Sequence, residues 1–145
     1  LAEAFAVTKI QFPRDRQLLS QMIYFGKLMY AKDVLIPHVS DFLKIGYSEE
    51  KLKWCEENES QMWKFFIENK LLYSSDSKLY GRFIQKAPFS KFYLDLDNET
   101  PGRVGVWLGW QIVRSYMKNN DVTLQELFSK NAKEIFDNSK YKPKK

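Results

Sequence analysis

The sequence predicts an all-α fold: a compact domain of about four main helices followed by short C-terminal ones. Three observations lead there. Apolar residues recur at helical spacing over two long stretches, 15–35 and 48–69. A third stretch, Pro101 to Lys118, is apolar and glycine-bearing but still helical in period. Between them, proline, glycine and polar clusters mark stops rather than the regular turns of a hairpin protein.

In the first helix, Asp15 is a candidate cap, and Leu18, Met22, Phe25, Met29 and Ala31 or Lys32 follow the three-four spacing. Leu19, Ile23 and Tyr30 widen that stripe. Pro37 ends it and pushes Ile36 away from helical backbone. A short turn over 40–45 starts at Ser40 and stops at Gly46. Ser48 opens the second long helix, continuous to about Asn69, whose buried face is Leu52, Cys55, Met62, Trp63 and Phe66, with Glu59 inside the stripe. Residues 70–76 connect to a third helix over 77–85, which Pro88 breaks. Phe89 to Leu96 alternates enough to be extended. Pro101 is expected in the first turn of the fourth helix. Thr123 and Glu126 form a capping box for a short helix over 124–130, and a last piece covers 131–137. The domain is read as residues 1–137, with 138–145 a basic, disordered tail.

The 145 residues suit one domain, and 44% apolar with 16% aromatic residues is enough for a core without disulfides or metals. No apolar run reaches the roughly 18 residues of a membrane span. The net charge is +5, and its excess lies at the end: from Lys118 on there are seven lysines against four acids. A solvated terminus explains that tail better than an anionic partner does, and acids interspersed elsewhere leave no basic helix face for nucleic acid. The chain starts at Leu1 and shows no signal peptide, so it reads as part of a longer protein, with any export signal upstream.

Chemistry finds little support. A zinc site takes three or four Cys, His or carboxylate ligands. One histidine, His38, and one cysteine, Cys55, on separate elements do not supply them. Asp95, Asp97 and Glu99 alternate like a calcium loop but lack its glycine and terminal glutamate at the required spacing. No phosphate-binding glycine loop or nucleophile elbow occurs. Cys55 falls mid-helix on an apolar stripe, a poor place for a nucleophile. No cofactor is expected.

The segment Pro101 to Met117 stands apart. Gly102, Gly105 and Gly109 fall on one side, flanked by Trp107 and Trp110. An interior helical glycine costs up to about 1 kcal/mol relative to alanine. The usual compensation is close approach of another backbone. The segment is therefore a central core helix, and its glycine face a candidate groove for an extended segment. Arg103 and Arg114 within it, and Glu59 in the second helix, are candidate buried charges that need partners.

The run from Thr100 to Met117, TPGRVGVWLGWQIVRSYM, resembles the gliding-motility lipoprotein B (GldB) family. Gln21 to Lys27, Trp63 to Asn69 and Ala87 to Tyr93 are similar to it as well, in order, so the resemblance covers most of residues 15–137. It implies a non-catalytic module of a periplasm-facing envelope lipoprotein, needed for gliding and associated with type IX secretion. Its partners would be other envelope gliding or secretion proteins, or the upstream part of the same protein. The lipid-bearing cysteine would lie upstream, and Cys55 is not it. A more distant likeness is to zinc proteases with an H-E-x-x-H helix, which would make this chain the helical half of a zincin-like fold. Here Gly26 follows Phe25, where an acidic ligand would be expected, and no H-E-x-x-H occurs. An upstream metal helix would turn the reading to a zinc hydrolase.

Overall fold

A computed structural model describes residue 10, residues 12–85 and residues 100–143. The described residues form eight helices and no strand: α1 Leu18–Leu35, α2 Asp41–Ile45, α3 Glu49–Glu57, α4 Glu59–Glu68, α5 Lys78–Phe83, α6 Val104–Asn119, α7 Leu124–Ser129 and α8 Ala132–Asn138. The all-α expectation is met. The alternation over Phe89 to Leu96 and the acidic Asp95, Asp97 and Glu99 lie outside the described residues.

Two helices make the centre. Between Leu18 and Ala31 only Gln21, Phe25 and Tyr30 of α1 escape full burial, and Val104 to Trp110 of α6 are buried without a break. Helices buried on nearly all sides are the middle of a fold rather than its rim. The other six pack around this pair. They contribute Cys55, Met62 and Phe66, then Leu79 and Phe83, then Leu127 and Ile135 to one continuous core.

Local chemistry explains where the elements begin and end, and corrects several expectations. Asp15 does not cap α1. Its Oδ1 accepts from the Gln17 amide at 3.0 Å, a local turn ahead of the helix. The first helical amides, Leu18 and Leu19, instead donate to the carbonyls of Ser74 and Leu72, so the 70–76 connection caps α1 with backbone. The helix expected to run unbroken over 48–69 is two helices, parted at Asn58. Its amide and its side-chain Nδ2 both donate to the Trp54 carbonyl, at 3.0 and 2.8 Å. Asparagine competes for backbone bonds in this way, and the helix restarts on Glu59. Ser48 does open α3, accepting from the Lys51 amide.

Pro101 lies before α6 rather than in its first turn. The helix starts at Val104, after Arg103 has taken left-handed backbone at φ +61°. That turn is fixed from outside: the Tyr47 hydroxyl donates to the Gly102 carbonyl at 2.5 Å. The Thr123–Glu126 capping box is present as read. The fold does not stop at residue 137. Asn120 Nδ2 donates to the Asn138 carbonyl, and Ser115 Oγ to that of Ser139, which is buried. The Tyr141 ring meets the Trp63 ring edge-on at 5.0 Å. Backbone carbonyls of Asn138 and Ser139 and the Tyr141 side chain together hold this stretch against α4 and α6.

Candidate functional site

The glycine face of α6 is where sequence and structure meet most directly. A Cβ on Gly109 would overlap the Met22 carbonyl oxygen and stand 2.5 Å from its carbon. A Cβ on Gly26 of α1 would stand 2.5 Å from the Gly109 carbonyl carbon and 2.9 Å from Val113. The two central helices therefore touch backbone to backbone at a glycine pair, one from each. Gly105 fits against the end of α5, where an added Cβ would meet the Phe83 carbonyl and Ile84 Cδ1, each at 2.9 Å. The space beside Gly105 and Gly109 is thus taken by α1 and the end of α5, which leaves no groove there for an extended segment. Gly102 belongs to the turn before α6, and Trp107 is buried.

One turn beyond Gly109, α6 carries a charged cluster. Arg114 Nε and Nη2 donate to the two carboxylate oxygens of Asp33 at 2.8 and 2.9 Å. Nη1 and Nη2 donate to the carboxylate of Asp41, each at 3.0 Å. The guanidinium lies 3.8 Å above the ring of Trp110, whose Nε1 donates to Asp33 at 2.9 Å. Lys44 Nζ completes the set at 3.0 Å from Asp33. Burial alone would push the Asp33 carboxyl up. The hydrogen bonds and charge of Arg114, joined by Trp110 and Lys44, outweigh burial and hold it below the usual carboxylate range. Burial lowers the Arg114 guanidinium, and Asp33 and Asp41 more than restore it.

Glu59, also buried, accepts from the Tyr141 hydroxyl at 2.7 Å. Burial and that bond push the phenol pKa upward. Arg103 is half-buried, with Nη1 3.4 Å from the Ile45 carbonyl. Of the three charges singled out in sequence, Arg114 is the one the described contacts place between two carboxylates. Its acid partners sit on α1 and α2, about seventy to eighty residues away, where no local pattern marks them. Lys27 and Lys44 are buried as well. Lysines on otherwise apolar faces were the available signal for both, and a flexible stem that normally snorkels to solvent hides such a role.

Cys55 is buried within α3, and burial pushes its thiol up to about 12. A native-state thiol reagent at pH 7 should therefore leave Cys55 unmodified for as long as the domain stays folded. Labelling at the rate of the denatured chain would contradict that environment. Among the described residues, no group of three or more His, Cys, Asp or Glu side chains is gathered as a metal ion would require. No helix there is long and apolar enough to cross a membrane.

The sequence model of the family described as gliding motility protein GldB matches residues 1–143. The chain belongs to the GldB family. That places it among gliding-motility lipoproteins and extends the resemblance read from the Thr100–Met117 motif to essentially the whole chain. No curated protein and no solved structure matches it. In structural terms the motif now has a content. The motif's interior glycines, Gly105 and Gly109, are the contact surface of α6. Its Trp110 and Arg114 are the apolar wall and the charge of the cluster with Asp33.

Proposed function

We propose that this GldB domain is a non-catalytic interaction and structural module of an envelope lipoprotein. It would face the periplasm, serve gliding and work alongside the type IX secretion machinery. The observation that carries this reading is the family match over residues 1–143. The interior supports it. The guanidinium of Arg114 is spent on two carboxylates, Glu59 on a tyrosine hydroxyl and Cys55 on packing, so these groups serve the fold. Contact with the membrane is assigned to a lipid anchor rather than to any of these helices. Partners are sought among other envelope gliding or secretion proteins, or in another part of the same polypeptide. Nucleic acid is not among them.

The test is made in cells. A gliding bacterium lacking its own family member is complemented with the full-length protein carrying a photo-crosslinking residue at exposed Leu43 or Ile67. Restored colony spreading, with crosslinks to gliding or secretion components, is the expected result. Spreading restored without any such crosslink from several exposed positions would overturn the interaction reading. Purified full-length protein that keeps about one zinc per chain through mild chelation and cleaves peptides would replace it with a hydrolase.

A further inference from the structure

A cleft of about 540 Å³ opens between the segment ahead of α1, α1 and the α7–α8 connection. Its size falls within the roughly 300–1,000 Å³ of small-ligand sites. Phe12, Ile23, Tyr24 and Phe128 supply apolar and aromatic wall, and Arg14 and Lys27 supply positive charge. A second hollow of about 400 Å³ shares Asp15, Ser20, Asn131 and Ala132 with it and continues the cleft.

Lys27 is the unusual member. Only 6% of it is exposed, and among the described residues its one polar partner is the Lys130 carbonyl, at 2.5 Å. Among the described residues, no carboxylate lies within ion-pairing distance of it. A buried ammonium without a counter-charge is costly, and an anion brought to it recovers part of that cost. Burial lowers its pKa to about 8, so it remains mostly charged at pH 7. Arg14, exposed at the mouth, makes no ion pair with a described residue either. Asp15 is the one acid among the described lining residues, it also lines the second hollow, and its Oδ1 is engaged by the Gln17 amide. The Lys130 ammonium is drawn away to Glu134 at 3.4 Å.

We propose that this cleft binds a small organic anion with an apolar body, its carboxylate on Lys27 and Arg14 and its apolar part against Phe12, Tyr24 and Phe128. The charge selects the head group, and the aromatic wall selects against small inorganic ions.

The probe is laurate, titrated into the purified chain at pH 7 below its micelle concentration, with dodecanol and dodecyltrimethylammonium as neutral and cationic controls. Saturable one-to-one binding of laurate is expected, at least tenfold tighter than of either control, with backbone amide signals moving in residues 12–27 and 128–132. Lys27→Met keeps the stem's volume and should weaken laurate at least tenfold while leaving dodecanol unchanged. Arg14→Gln, at an exposed position, tests the head group separately should the buried substitution impair folding, and should weaken laurate severalfold. Laurate binding no tighter than dodecanol, equal binding by both variants, or amide shifts confined to other surfaces would each overturn the assignment.

Discussion

Gly109→Ala should destabilise the domain by about 2 kcal/mol or more, although alanine is the better helix former. The added methyl overlaps the Met22 carbonyl, which is backbone of a helix buried on nearly all sides and has nowhere to move. Overpacking of this kind costs typically about 1–3 kcal/mol, and more where only backbone can yield. The helix-propensity gain of up to about 1 kcal/mol offsets part of it. Gly26→Ala should behave in the same way, because its methyl meets the other side of the same crossing. Gly105→Ala should lose less, since one of its two nearest neighbours is the tip of the Ile84 side chain. Gly81 supplies the opposite sign. It lies inside α5, exposed, and the nearest atom an added Cβ would meet outside the helix backbone is Gln85 Oε1 at 3.7 Å. Gly81→Ala should therefore gain a few tenths to about 1 kcal/mol. Gly109→Leu should not fold cooperatively at all. Denaturant melts of the four alanine variants check the series. Equal small gains at all four positions would mean that α1 and α6 do not meet at their glycines.

The helices themselves were legible because their periods are long and their cores bulky. The glycine argument also worked from sequence: two interior glycines four apart require a close neighbour. What the sequence could not supply was the neighbour. Gly26 lies more than eighty residues upstream, as a single glycine in a helix that reads well without it. The expected groove failed for that reason, since the face was filled by another part of the same chain. The break at Asn58 was missed because one asparagine in a continuous apolar stripe is weaker than the stripe, until its side chain takes the Trp54 carbonyl. The capping box at Thr123 was read correctly because both of its bonds are local. By contrast, the caps of α1 are the carbonyls of Leu72 and Ser74, which carry no residue signature. Lys27 and Asp33 stayed hidden because charge on a helix ordinarily means solvent, and here the burial comes from α7, α8 and α6, packed on by tertiary structure.

Arg114→Met should cost about 3 kcal/mol at pH 7, through the acid it leaves behind. Removing one partner of a buried pair typically costs about 3–5 kcal/mol, because the other charge stays desolvated. The Arg114 side chain is 29% exposed and that of Asp33 16%, so the lower end applies. The two acids should differ. Asp33 receives Arg114, Lys44 and Trp110, whereas Asp41, 40% exposed, receives Arg114 alone. Asp33→Ala should therefore approach the Arg114→Met loss, and Asp41→Ala should stay below about 1 kcal/mol, as water-exposed pairs do. Arg114→Lys keeps the charge but cannot present two parallel donor pairs, and should fall in between. The cluster also sets a pH dependence. Asp33 is held below the usual carboxylate value of about 3.9, so the folded state takes up its proton less readily than the unfolded chain. Its contribution is fully present above that value and is lost as the pH falls towards and through the folded pKa. The Asp33 double-mutant coupling to Arg114 should thus be large at pH 7 and shrink below pH 4. A coupling that stays constant across that range, or an Asp41→Ala loss equal to that of Asp33→Ala, would show that the carboxylate of Asp33 is not the centre of the cluster.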